Sequence, residues 1–426
     1  MTARWTAMGL LLALSLCPAL PAGEAEDPAL TRARKLLSRS ILIDGHNDVP
    51  WAIRESKTAP MDVEAYDLRQ TTPGQTDLAR VRAGLLGGQF WSVYVPGEDS
   101  GAGYARMQLE QIDTALRVIA RYPEALGLAL TAADVERVFR KGRVASLMGI
   151  EGGHAIENSL GALRAYHDLG VRYMTLTHNV TLDWADSCVG EPRHLGLTRF
   201  GEEVVREMNR LGMLVDLSHT SPGTMDDALR VSEAPVIFSH SSARALCNVP
   251  RNVPDEILER LPANGGVVMV TFVPGFVSQE VANVTTPLFA TYRERTANVK
   301  DIAERERIRT EIFAGAVIPK ATLAQVADHI DHIRKVAGPR HVGIGGDFDG
   351  NDIWPVGLED VSRYPDLFAE LIRRGWSDED LTALAGGNVL RALRAAEEVA
   401  ARSRAARPPS IATIQQLDAQ PTPAHN

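Results

Sequence analysis

Cysteine is scarce in this chain, with three residues in 426, so a disulfide framework cannot be what holds the fold together. Long apolar runs are missing too: the most continuous one, Met8–Leu20, falls short of the ~20 residues that a membrane-spanning helix needs. Basic residues are in the minority, 45 Lys and Arg against 54 Asp and Glu, for a net charge of −9. That balance argues against nucleic acid or an anionic membrane surface as a partner, since both reward basic patches. No internal repeat is present, which sets solenoids and propellers aside. What is present is an ordinary globular composition, 45% hydrophobic and 23% charged, at a length that one α/β barrel with insertions would fill.

The two ends read differently from the middle. Arg4, the apolar run Met8–Leu20 and the small residues Ala22, Gly23 and Ala25 follow the order of a secretory signal peptide, so we expect residues 1–23 to be removed and the protein to be periplasmic or secreted. Cys17 in Leu14-Ser15-Leu16-Cys17 is a poor lipoprotein site because bulky Leu16 precedes it. Of the two remaining cysteines, Cys188 and Cys247, the sequence leaves open one disulfide or none. Residues 406–426 are rich in Pro, Gln and Ala and read as a disordered tail without the apolar stretch of a GPI signal.

Between the ends, short Val/Ile/Leu-rich runs alternate with helical patterns. Ile41–Ile43, Val144–Ile150, Val171–Leu176, Met213–Leu217, Val236–Phe238, Gly266–Phe272 and His341–Ile344 barely alternate in polarity, as parallel strands buried on both faces do. Helices are expected at Asn158–Leu169 with Asn158 as cap, Thr198–Leu211, Ser221–Val231, Thr322–Ala337 and from Ser377 onward, several ending at a glycine. Strand, loop, helix and glycine in repetition predict a (β/α)8 TIM-like barrel over residues 30–405 with rim insertions. The main insertion is Ser278–Lys320, charged and helical over Arg293–Ile312, read as a rim insertion without chemistry of its own, with a lid or an oligomer contact as the alternative.

Polar residues follow the apolar runs in a consistent way. Ile41–Gly45 leads to His46-Asn47-Asp48, Ala145–Ile150 to Glu151-Gly152-Gly153-His154, Tyr173–Thr177 to His178, Leu214–Ser218 to His219, Val236–Ser239 to His240, and Gly343–Gly346 to Asp347-Phe348-Asp349. Parallel barrel strands all point one way, so these side chains converge on the C-terminal face, where barrel enzymes keep their active sites. Neutral imidazoles and carboxylates together suit zinc. His46 and Asp48, two apart on an extended backbone, share a side and can chelate one ion, while the two oxygens of Glu151 can bridge two. A lone His after a strand is by default a loop residue; several such endings in one barrel are a metal site. His167, His194, His329, His332, His341 and His425 carry no such pattern, and His154 is intermediate.

With Asp44–Asp48, Gly87–Ser92, Glu151–His154, Thr175–His178, Phe238–Ser242, Arg251–Pro254 and Gly345–Gly350 in order, the chain from about Arg34 to Ala400 resembles the renal (membrane) dipeptidase family of zinc peptidases. The resemblance implies two zinc ions per chain, the first on His46 and Asp48, the second on His219 and His240, bridged by Glu151. It further implies His178 at the substrate and its oxyanion, Arg251 on the substrate carboxylate, and Asp347 as the acid/base. The implied reaction is hydrolysis of dipeptides, including some with a C-terminal D-residue, through a metal-bridging hydroxide in a homodimer. The alternative is a dinuclear zinc amidohydrolase acting on β-lactams or N-acyl-amino acids. Phe276 stands where the family uses an aromatic hydroxyl near the substrate. Asn179-Val180-Thr181 and Asn283-Val284-Thr285 match the glycosylation pattern, but a glycan on Asn179 would crowd His178, so an unglycosylated protein is expected.

Overall fold

The computed structural model describes residues 27–98, 103–299 and 301–419. The signal-peptide reading of residues 1–23 therefore lies outside the described residues. The strands are β1 (Leu42–Asn47), β2 (Leu86–Ser92), β3 (Leu126–Leu128), β4 (Val144–Glu151), β5 (Val171–Thr175), β6 (Leu214–Asp216), β7 (Ile237–Phe238), β8 (Val267–Val270) and β9 (Val342–Ile344). All their pairings are parallel, and β1-β2-β4-β5-β6-β7-β8-β9 closes back on β1 as a ring. The expected (β/α)8 barrel is what forms. β3 stands outside the ring and pairs Leu126–Leu128 with Val144–Ser146 of β4.

Every residue of the ring strands is buried, which is why their sequences run apolar without alternation. One close approach sets a residue choice that matters later. Gly149 of β4 pairs with Tyr173 of β5, and a Cβ at Gly149 would lie 2.0 Å from the phenol ring, so only glycine lets that ring cross the barrel interior.

Helix ends follow local chemistry. Ser221 caps its helix, and Thr198 and Thr322, at the expected starts of theirs, do the same, each accepting an N–H of the first turn; Thr322 with Gln325 completes a capping box. Four expectations need correction. The helix Leu160–Asp168 is capped by Ser159 rather than Asn158, because Asn158 adopts a left-handed φ of 58° and its side chain turns to Asp183. The helix opened by Ser377 is not one smooth run: Asp378–Thr382 passes through a π-helical turn at Ala383–Gly387 before Asn388–Ala406. The Ser278–Lys320 insertion holds two helices, Gln279–Thr296 and Ile302–Phe313, where one was anticipated.

The fourth correction concerns the tail, which is ordered up to Ala419. Ser410 donates its N–H to Glu207, Arg164 donates to the Ser410 carbonyl, and Asp418 of the short helix Ile414–Asp418 accepts from Thr198 at 2.6 Å. Polar composition suggested disorder, but these side chains find barrel partners. Cys188 and Cys247 are both free thiols. No described helix is long and apolar enough to cross a membrane.

Candidate metal centre

At the C-terminal ends of the ring strands, the barrel gathers the polar residues that end the apolar runs. His46 lies near the end of β1, Glu151 closes β4, His178 follows β5, His219 follows β6, His240 follows β7 and Asp347 follows β9. His219 and Asp347 hold positive φ values of 65° and 66°, uncommon for residues with a side chain, and these turn both groups inward.

Glu151 is the hub. Its Oε1 lies 2.9 Å from His219 Nε2, 3.3 Å from His240 Nε2 and 3.7 Å from His178 Nε2, while Oε2 lies 3.5 Å from His46 Nε2. His46 Nε2 is also 3.4 Å from Asp48 and 3.9 Å from Asp347. The two oxygens of one carboxylate thus address two clusters, and the groupings His46–Glu151–His240, Glu151–His178–His219 and His46–Asp48–Asp347 each bring three donor atoms within 4.8 Å of one another.

The far nitrogen of each imidazole decides what the near one can do. Tyr173 Oη donates to the Gly45 carbonyl at 3.2 Å, so toward His46 Nδ1, 2.9 Å away, it accepts. Ser239 Oγ donates to Asp216 at 2.6 Å and accepts from His240 Nδ1 at 2.8 Å. Asn179 Oδ1 accepts from His219 Nδ1 at 3.2 Å. In each ring, when neutral, the proton therefore sits on Nδ1 and leaves a lone pair at Nε2. His219 Nε2 and His240 Nε2, 3.0 Å apart, then face each other and Glu151 with electron pairs only, and buried His46 Nε2 and Asp48 Oδ1 have no hydrogen-bond partner. Such a donor set is repulsive by itself and complementary to cations, so the residues present fit bound metal.

Electrostatics agree. Burial disfavours a charged His46, yet Tyr173, Asp48 and Glu151 outweigh it and raise its pKa well above the usual imidazole value, the signature of a position that favours positive charge. Burial raises the Glu151 pKa, but His46 and His178 overcome that and hold it well below the usual range. Burial keeps His219 and His240 neutral, with Arg251 adding to the effect on both. At Asp347 burial acts first, and Asp48 and Glu151 add to it against His46, so its carboxyl titrates well above the usual value.

Arg251 lies deep in the rim, 5% exposed. It donates to Ser241 Oγ at 3.3 Å and to the His240 carbonyl at 3.2 Å, its Nε has no partner, and no carboxylate pairs with it among the described residues. Its guanidinium lies 5.1 Å from the Phe276 ring centre. A buried cation without a counter-ion next to a metal cluster is a ready anion site. All of His46, Asp48, Glu151, His178, His219, His240, Arg251 and Asp347 are thus brought to one mouth.

His154 is held apart, its Nε2 donating to the Val95 carbonyl, and burial takes its pKa down to about 4. His329, His341 and His194 bond backbone groups and His332 pairs with Asp255, away from the centre. Sequence reasoning missed the partners that set the tautomers: Tyr173, Asn179, and Asp216 with Ser239. Their signal was available, since a carboxylate in Val215-Asp216-Leu217 and a phenol in Arg172-Tyr173-Met174 sit inside buried strands and need partners.

Comparison with known proteins places this arrangement. The family model described as membrane dipeptidase (peptidase family M19) matches residues 30–407. The chain is 42% identical over 389 residues to dipeptidase verJ of Clonostachys rogersoniana, covering 89% of this chain and 90% of that one. Among solved structures it is similar to the probable dipeptidase PvdM from Pseudomonas aeruginosa, with a TM-score of 0.75 at 26% identity, over 87% of this chain and 99% of that one. It is also similar to a metallo peptidase from Rhodobacter sphaeroides liganded with a phosphinate mimic of the dipeptide L-Ala-D-Ala, with a TM-score of 0.68 at 25% identity, over 84% and 99%. The closed parallel barrel, its His, Asp and Glu cluster and a match along nearly its whole length show that this chain belongs to the membrane dipeptidase family, the metallo-dipeptidases of peptidase family M19.

Proposed function

We propose that this enzyme is a zinc-dependent dipeptidase that holds two zinc ions per chain, one on His46 and Asp48 and one on His219 and His240, with Glu151 shared. The bound pair would lower the pKa of the attacking water and polarise the scissile carbonyl. Arg251 clamps the C-terminal carboxylate, which its forked guanidinium suits. His178, beside Glu151, donates to the oxyanion of the tetrahedral intermediate. Asp347, whose carboxyl burial pushes above the usual carboxylate range and which lies 3.9 Å from His46 Nε2, carries a proton from water to the departing amine. The Rhodobacter sphaeroides relative's phosphinate ligand supports acceptance of a C-terminal D-residue. An exported homodimer without membrane span is the form we propose for it.

The observation that carries the reading is the approach of two ring nitrogens, His219 Nε2 and His240 Nε2, to 3.0 Å of each other against Glu151. The test is metal content of the purified protein together with hydrolysis of Gly-L-Xaa and Gly-D-Xaa before and after chelation. About two zinc ions per chain and chelator-sensitive cleavage support it. Zinc with turnover of β-lactams or N-acyl-amino acids and none of dipeptides would move the enzyme to a different amidohydrolase activity, and absence of bound metal would remove the centre.

A further inference from the structure

Asp347 and the ligands His46 and Asp48 stand on two short turns that are bonded to each other. The Asp347 N–H donates to the His46 carbonyl at 3.2 Å, and the Asp48 N–H donates to the Phe348 carbonyl at 2.9 Å. Gly350 packs against a carboxylate of each turn: a Cβ there would lie 2.4 Å from Asp48 Oδ2 and 2.7 Å from Asp347 Oδ1. Asp347 and Asp349 both take left-handed φ values, 66° and 65°. Residues with a side chain seldom adopt that conformation, and it persists where the surroundings impose it.

A third segment imposes it from outside, the loop between the helices Val49–Arg54 and Leu78–Ala83. Gln75 and Asp349 bond each other twice. The Gln75 N–H donates to Asp349 Oδ1 at 2.9 Å, and the Asp349 N–H donates to Gln75 Oε1 at 3.0 Å. Gly74 makes room for this carboxylate, since a Cβ there would lie 1.9 Å from Asp349 Oδ1. At the next residue, Thr76 Oγ1 accepts from Asn47 Nδ2 at 2.8 Å, so one loop grips both turns. The loop is itself pinned. Thr72 Oγ1 donates to the Thr76 carbonyl at 2.9 Å, Asp77 caps the helix that follows, and Arg80 reaches Asp77 Oδ2 at 2.6 Å and Thr72 Oγ1 at 2.8 Å. Neither Gln75 nor Asp349 belongs to the donor groupings around Glu151 and His46.

Resting on the reading of Asp347 as the acid/base of a dipeptidase, we infer that Gln75 and Asp349 are positioning residues, a reciprocal clasp that holds the 347–350 turn so that the Asp347 carboxyl meets both the attacking water and the departing amine. A group that passes a proton must stay within hydrogen-bond reach of both partners. A misplacement of ~1 Å costs about 10²-fold in rate, so two bonds on the far side of the turn bear directly on turnover. Substrate binding rests on Arg251 and leaves the clasp aside.

The experiment measures kcat and KM for Ala-Ala, together with zinc content, in Q75L, which removes the side-chain acceptor, and in D349A, which removes the carboxylate. Each should lower kcat by about 10–100-fold with KM and zinc content unchanged. D349N keeps an acceptor at Oδ1 and suits the left-handed backbone, so it should recover most of the loss. Added to D347N, Q75L should lower kcat no further, because a positioning residue acts through the group it positions. Should D349A fail to fold, Q75L carries the comparison by itself. Parental kcat in Q75L would overturn the clasp and leave Asp347 in its role, as would a full further loss from Q75L in the D347N background. Loss of zinc in Q75L would also overturn it, moving the effect to Asp48. Near-parental turnover in D347N would overturn the clasp together with the Asp347 reading on which it rests.

Discussion

Replacing Tyr173 with Phe removes one oxygen and tests the tautomer logic of the centre directly. The Tyr173 hydroxyl joins the Gly45 carbonyl to His46 Nδ1, and the phenyl ring that remains keeps its place against Phe90, at 5.2 Å between centroids. Without the hydroxyl, two buried polar groups lose their partner, at about 1–3 kcal/mol each before any relaxation. More specifically, nothing then holds the proton on Nδ1. It can move to Nε2, where Asp48 and Glu151 wait at 3.4 and 3.5 Å, and that form cannot bind metal. Loss of such an outer partner lowers metal affinity by about 10–100-fold, or roughly 1.4–2.7 kcal/mol. The assay is a zinc competition titration against a fluorescent chelator, run on Tyr173→Phe and on Ser239→Ala. Tyr173→Phe should weaken the site that uses His46, and Ser239→Ala the site that uses His240. Affinities within about twofold of the parent in Tyr173→Phe would refute the claim that this hydroxyl sets the ligand's tautomer.

Three further outcomes are expected. Asp347→Asn should retain zinc yet lose about 10²–10⁴-fold in kcat, and near-parental turnover by stopped assay would take Asp347 out of the proton path. Arg251→Ala should raise KM by about 10–100-fold, the loss of a charge-assisted pair, with a smaller effect on kcat; an unchanged KM would sink the carboxylate clamp. Glu207 is a buried carboxylate whose burial opposes ionisation, but Arg210 at 2.8 Å, Arg164 at 3.0 Å and the Ser410 N–H hold its pKa below the usual value. A lowered folded pKa means stability fully present above the unfolded glutamate value and lost as pH falls toward the folded one, so Glu207→Gln should cost about 3 kcal/mol at pH 7 and progressively less in acid, read by urea melts across pH. A pH-independent difference would rule out the ion pairs as its source.

The legible part of the molecule was the part governed by pattern. Runs such as Val144–Ile150 and Met213–Leu217 announced buried parallel strands, and the residues ending them announced the centre. β2 escaped because Gly87-Gly88-Gln89 interrupts its apolar character, although every residue of Leu86–Ser92 is buried. Gly88 lies against Ile43, where a Cβ would come within 3.0 Å of that side chain, so tertiary crowding rather than strand propensity chose it. β3 is three residues long, too short to show a period. Asn179 looked like a glycan acceptor on local pattern, while its oxygen faces His219, a long-range contact that no local pattern encodes. The ordered tail escaped for the same reason, since Glu207 and Thr198, its anchors, lie some two hundred residues away in the chain.

Asp44 of β1 accepts the N–H of His46, the N–H of Gly346 after β9 at 2.8 Å, and the Tyr364 hydroxyl at 2.6 Å. One buried carboxylate therefore fixes the first ligand's backbone and the approach to Asp347 across a separation of 302 residues in sequence. During synthesis, the ring cannot shut, and His46 cannot take its final posture, until β9 and Tyr364 have left the ribosome. The half-made chain displays His219, His240 and Glu151 with no finished cage around them. A chain cut short before Tyr364 lacks one of the three donors to Asp44, and one cut before Val342 lacks the strand that closes the ring.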